Sequence, residues 1–104
     1  MKRLNENMLC PRLTKAMDLI GKRWTALIIY QLLEGPQRFN AIEAALPISG
    51  RLLSERLKEL EKEGLVKREM FSEVPVRVEY SLTEKGMALE ATIRSIQNWS
   101  QQWT

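Results

Sequence analysis

Gly64 divides the chain into two periodicities, and this change of period limits the possible folds more than any other feature. Before it, apolar residues recur at helical spacing in segments cut short by Gly21, by Gly35-Pro36 and by Pro47. After it, "LVKREMFS" and "VRVEYSLT" follow a period of two on either side of "EVPV", and a last helical stripe closes the sequence. Helices, then one hairpin, then a helix is therefore the predicted order.

Pro11 suits the first position of a helix, because the N–H it lacks would be unpaired there anyway. "RLTKAMDLIG" then places Leu13, Ala16, Met17 and Ile20 at helical spacing, which predicts a first helix over about 11–20, ended by Gly21. In "KRWTALIIYQLLEG", Trp24, Leu27, Ile28, Ile29, Leu32 and Leu33 lie nearly all round a second helix, so that helix should be central and buried on more than one side. "QRF" can supply a short extended segment. Asn40 is the expected cap of a third helix, with Glu43 reaching back to it and Ile42, Ala45 and Leu46 facing inward, until Pro47 breaks it. Ser49 can cap a fourth helix whose Leu53, Leu57 and Leu60 form a narrow apolar stripe, and Gly64 offers a left-handed stop. The third and fourth segments, short and joined by a tight turn, make a helix-turn-helix.

In the hairpin, Val76, Val78, Tyr80 and Leu82 alternate with Arg77, Glu79 and Ser81. Thr83 can cap a final helix carrying Leu89, Ile93, Ile96 and Trp103 on one stripe, with Trp99 at its edge. Such a stripe is longer than the small domain can cover and needs a partner. The expected class is α+β, mostly α: a winged helix-turn-helix with a two-stranded β-hairpin wing. Its helix-turn-helix spans about 38–64, its wing about 65–83, and its dimerisation helices about 11–20 and 84–103, within a single domain over 1–104.

A chain of 104 residues suffices for one core but gains from burial against a second subunit. Sixteen Lys and Arg against thirteen Asp and Glu leave a net +3, which permits an acidic partner without demanding one. The distribution says more: in the first 23 residues Lys2, Arg3, Arg12, Lys15, Lys22 and Arg23 face only Glu6 and Asp18, a net +4 that leaves −1 for the rest. A single cysteine rules out an internal disulfide, no secretory pattern is evident, and the longest apolar run, "ALIIY", is far short of the roughly 20 residues that span a bilayer. A cytoplasmic protein with no membrane segment is expected. With no histidine, no metal-ligand cluster and no glycine-rich phosphate loop, neither an enzyme nor a cofactor-binding protein is expected. The three tryptophans, at helical spacing, read as core or interface before they read as a ligand pocket.

With the leucine stripe of the fourth helix pointing inward, Arg51, Glu55, Lys58, Glu59 and Lys62 project outward, flanked by Ser54 and Arg56. Its front half is cationic through Arg51, Arg56 and Lys58, and its rear half is acidic through Glu59, Glu61 and Glu63. A helix entering a DNA major groove needs cations and hydrogen-bonding groups at its leading end and can be acidic where it withdraws. Mixed charges also simply solvate helices through weak pairs three and four residues apart, which is the reading kept for the acidic rear. The hairpin that follows favours the groove. Arg77, near the wing's loop, is either the wing's cation or one half of a pair with Glu69 or Glu73, and Lys67 and Arg68 sit at the wing's base.

"CP", "LIGKRWT", "EGPQRFN", "ISGRLLSERLKELEKEGLV", "EVPVRVEYSLTEKG" and a tryptophan in the final helix, in that order and spacing, resemble the HxlR family of bacterial winged-helix transcription regulators, relatives of the MarR type, over almost the whole chain. The resemblance implies a DNA-binding transcriptional regulator, a repressor that acts as a homodimer on double-stranded DNA bearing a palindromic operator. It implies DNA contacts at Ser49, Arg51, Ser54, Arg56, Lys58 and Arg77, and an interface formed by the first and last helices, with Leu13, Leu89, Ile93, Ile96, Trp99 and Trp103. The alternative is a winged helix that docks proteins without specific DNA binding.

Some members of that family use a cysteine directly before the helix-starting proline to sense oxidants or electrophiles, and Cys10-Pro11 matches that position. An independent argument points the same way: as N-cap, Cys10 would lie among unpaired N–H groups at the positive end of a helix dipole, near Arg12 and Lys15, all of which favour a thiolate. The contrary reading is an inert small residue at an interface.

Overall fold

The computed structural model describes residues 10–104, so Lys2 and Arg3, part of the N-terminal cationic excess, lie outside the described residues. The order is α1 (Pro11–Ile20), α2 (Thr25–Leu32), α3 (Phe39–Ala45), α4 (Gly50–Lys62), β1 (Val66–Phe71), β2 (Arg77–Leu82), α5 (Glu84–Met87) and α6 (Glu90–Trp103). This is a winged helix-turn-helix: α3 and α4 form the pair, and β1 and β2 pair antiparallel from Val66↔Leu82 to Phe71↔Arg77 as the wing.

Ile28, Ile29 and Leu32 of α2 occupy the centre, as expected of a helix apolar on most sides. They meet Ile42 of α3, Leu53, Leu57 and Leu60 of α4, Leu65 and Val66 at the wing's root, and Ile93 of α6. Each such side chain contributes about 1.5–3 kcal/mol on burial. Helix α1 supplies none of them.

Gly64, at φ 76°, ends α4 in the left-handed conformation predicted for it, with the Leu65 N–H donating to the Leu60 carbonyl at 2.9 Å. The Thr83 hydroxyl ties the two ends of the hairpin together by donating to the Gly64 carbonyl at 2.6 Å while accepting from the Gly86 N–H at 3.1 Å. Gly86 is buried against the Leu65 carbonyl, where a Cβ would collide with backbone. The expected extended segment "QRF" is realised at Gln37, which exchanges backbone hydrogen bonds of 2.9 and 2.8 Å with Tyr80 and so anchors the wing beside α3.

Three local expectations are corrected. Helix α2 starts at Thr25 rather than near Lys22, because Trp24 takes up φ 81°, a left-handed conformation that costs a non-glycine residue ~1–2 kcal/mol. Asn40 does not cap α3: with Gln37 held to Tyr80, the helix already starts at Phe39, its N-cap is Arg38, and no side chain caps it. Glu43 packs instead against Gly50, whose missing Cβ leaves room for its carboxylate at the start of α4. The last helix is divided, since Thr83 caps only the short α5 and the chain turns at Ala88 and Leu89 before α6.

That turn also corrects part of the expected interface. It lays the first half of α6 against the domain, so Ile93 is buried in the domain's own core and Leu89 packs on its edge. The Gln97 amide donates to the Tyr30 hydroxyl at 2.9 Å, holding α6 to α2. Only beyond this point does the stripe lack cover: Ile96, Trp99 and Trp103 are exposed, as are Leu13 and Met17 on α1.

Candidate nucleic-acid interface

Ser49 caps α4 by accepting the Leu52 N–H at 3.1 Å, which leaves the exposed hydroxyl free to donate outward. With Leu53, Leu57 and Leu60 buried, the opposite face carries Arg51, Glu55, Lys58 and Lys62, four exposed residues along one line of the helix. The Arg51 side chain is 91% exposed and reaches Glu55 only loosely, at 3.7 Å, so its guanidinium is available to a partner. Lys58 and Lys62 form no ion pair with a described residue. Ser54 lies half-buried on the flank. Four of the expected DNA-contacting residues, Ser49, Arg51, Ser54 and Lys58, thus share the front of one helix.

Arg56 and Arg77 are placed differently. Arg56 turns back along its own domain: Nε donates to the Arg23 carbonyl at 3.2 Å, Nη1 reaches Glu59 at 3.1 Å, and the side chain is only 18% exposed. Arg77 lies between Glu73 at 2.7 Å and Glu79 at 2.9 Å, with its guanidinium 4.1 Å above the Phe71 ring. Of the pairings open to it in the sequence, Glu73 is formed and Glu69 is not; Glu69 pairs with Lys67 at 3.2 Å. Two carboxylates offset the Arg77 charge, and the wing's tip is left with Glu73, Val74, Pro75 and Val76, all exposed. Arg68, exposed on β1, carries no ion pair among the described residues.

The third helix adds a cation that sequence reasoning missed. Phe39 and Glu43 of α3 face Gly50 at the leading end of α4, and Gln37 is bonded to β2. Arg38, between them and exposed, therefore stands where the start of α4, the start of α3 and the wing converge. The available signal was its place immediately before a helix-turn-helix, where the first helix meets the DNA backbone.

At the other end, the Cys10 Sγ accepts the Leu13 N–H at 3.5 Å and is exposed, so the thiol sits at the N-cap of α1 as predicted. Among the described residues there is no group of His, Cys, Asp or Glu able to hold a metal ion, and no helix long and apolar enough to cross a membrane.

A family model for the HxlR-like helix-turn-helix matches residues 19–104. The chain belongs to the HxlR family. It is 58% identical to the uncharacterised HTH-type transcriptional regulator YvaP of Bacillus subtilis, covering 96% of this chain and 94% of that one. It is similar to the reduced form of the transcriptional regulator YodB of B. subtilis, with a TM-score of 0.83 and 48% identity over 92% of this chain and 95% of that one. YodB has also been solved diamide-treated and quinone-bound. The redox regulator HypR in its oxidised form superposes with a TM-score of 0.85 at 38% identity, covering 91% of this chain and 98% of that one. As in these HxlR-type proteins, the function is transcriptional regulation, which favours DNA over the protein-docking alternative.

Proposed function

We propose that this HxlR-type regulator is a homodimeric repressor that binds a palindromic operator and releases it when Cys10 reacts with an oxidant or electrophile. The line of Arg51, Lys58 and Lys62, held outward by a leucine stripe buried on the opposite face, carries the DNA-reading part of this proposal. Arg51 suits bidentate pairing with guanine, and Ser49, Lys58, Lys62 and Arg38 suit phosphates. Two-fold symmetry sets the half-site centres about 34 Å apart, one turn of DNA. Dimerisation is supported by the uncovered Ile96, Trp99 and Trp103 of α6 and by α1, which contributes nothing to the core. A cleft of about 670 Å³ separates α1 from Leu65, Ala88 and Leu89. Catalysis has no part in the proposal.

The diamide-treated and quinone-bound forms of YodB support the sensing role, together with the exposed Cys10 at a helix N-cap. The chemistry balances with one cysteine per chain. Two thiols give two electrons and two protons to diamide, forming a disulfide between subunits or with a small thiol, and a thiolate adding to a quinone forms a C–S bond while the ring takes up a proton. A gel-shift titration on the promoter next to the gene tests both parts. The wild type should shift that fragment and lose it after diamide or quinone, whereas Cys10→Ser should shift it and keep it. Release from Cys10→Ser at the wild-type dose would refute the sensor assignment, and no shift of any neighbouring promoter would refute the operator.

A further inference from the structure

Arg56 and Glu59 lie on α4 yet face neither the core nor the outward line of Arg51, Lys58 and Lys62. They face the corner between α1 and α2. Glu59 divides its carboxylate between two cations, Oε2 at 3.0 Å from the Lys22 ammonium and Oε1 at 3.1 Å from Arg56. Arg56 also donates to the Arg23 carbonyl, so its planar fork spans an acceptor on its own helix and a backbone acceptor on the corner. The next residue is Trp24, held at φ 81° with its ring half-buried on the core and the Arg23 guanidinium 5.0 Å above it. A left-handed non-glycine residue persists only where its surroundings over-determine it.

We propose that Lys22, Arg56 and Glu59 form a latch that fixes α4 relative to α1, and that these residues position the recognition helix without touching DNA. Apolar contact is non-directional, so a single leucine stripe secures α4 to the core while leaving its rotation and slide weakly defined. The hydrogen bonds at residues 56 and 59 supply the direction. Because no residue of α1 is buried, the corner they grip is the principal determinant of where α1 points. In the dimer proposed above, on which this inference rests, α1 joins the two subunits. The latch therefore sets the separation and tilt of the two α4 helices. Pairs as exposed as Lys22 and Glu59, at 47% and 35%, add little to stability, so their consequence is geometric.

The sign of one effect separates this role from simple electrostatics. A carboxylate near phosphates repels DNA, so removing the Glu59 charge would tighten binding if that were all it did, whereas loss of the latch weakens it. The expected result for Glu59→Gln is operator affinity lower by ~10-fold, within the range of losing one correct base pair, with a flatter dependence on base pairs inserted between half-sites. Arg56→Ala should weaken binding similarly with an unchanged salt slope, and Arg56→Lys, which keeps the charge and loses the fork, should be no better. Equal or tighter binding by Glu59→Gln, a slope reduced by the ~0.9 expected for a lost phosphate contact in Arg56→Ala, or full affinity in Arg56→Lys would each overturn the latch. A measurement without DNA completes the test. Nitroxides attached at Lys62→Cys in a Cys10→Ser dimer should give a narrow α4-to-α4 distance distribution that broadens with Glu59→Gln, and an unchanged distribution would refute the proposal. A wild type that shifts no promoter while this broadening is seen would remove the operator reading and leave the latch standing.

Discussion

Trp99 is the best single probe of the proposed subunit interface, because its removal costs the isolated domain little. An indole side chain carries about 200 Å² of surface, and Trp99 is 59% exposed, so about 120 Å² per subunit awaits cover. At about 25 cal/mol per Å², full burial of that area in both subunits would contribute ~6 kcal/mol to the dimer. Alanine retains part of the contact and the rim of an interface stays wet, so about half is the realistic loss for Trp99→Ala: ~3 kcal/mol, or about two orders of magnitude in the dimer dissociation constant. Sedimentation equilibrium over a wide concentration range reads this directly, and far-ultraviolet circular dichroism checks that the monomer stays folded. The operator-binding curve of the variant should shift to higher protein concentration and steepen, because dimers must form before both half-sites are filled. A dimer constant within threefold of wild type would place the interface elsewhere.

The remaining predictions concern the reading helix, the wing and its root. Arg51→Ala should lose ~1–3 kcal/mol of discrimination at one base pair of the half-site while remaining a folded dimer, and unaltered specificity in a panel of single-base operator variants would refute the bidentate role. Arg77→Ala breaks two ion pairs and a cation–π contact inside the wing, so it should lower thermal stability by ~1 kcal/mol yet leave the salt slope of DNA binding as it was. A slope smaller by ~0.9 would mean that Arg77 does reach a phosphate. Gly86→Ala drives a Cβ into the Leu65 carbonyl and should cost ~1–3 kcal/mol in chemical denaturation, a loss that neutral behaviour at this position would contradict.

Much of the fold was legible because its signals are local. Pro11, Ser49, Gly64 and Thr83 act through their own backbone geometry or their nearest N–H groups, and each stands at the element end its chemistry predicts. The leucine stripe of α4 likewise shows which of its residues face away from the core, since a helix's period decides that without reference to the rest of the molecule. Asn40 misled because a residue with good capping chemistry lost to a long-range constraint: the bridge from Gln37 to Tyr80, 43 positions away in sequence, fixes the chain before α3 and starts the helix earlier. Ile93 misled for a similar reason. A stripe on α6 looks uniform in sequence, and only the packing on α2 divides it into a buried half and an uncovered half.

The sequence by itself thus determined the order of elements, the inward face of each helix and the position of Cys10 at a helix start, all consequences of residue type and period. Tertiary structure decided what each cation is for. Arg51, Arg56 and Arg77 are the same chemical group, and nothing local separates them. Arg51 projects into solvent, Arg56 meets a carbonyl from the α1–α2 corner 33 positions earlier, and Arg77 is held between carboxylates across a hairpin turn. Charge acts through space, so a guanidinium's availability to DNA depends on which acceptors the fold brings within about 3 Å of it.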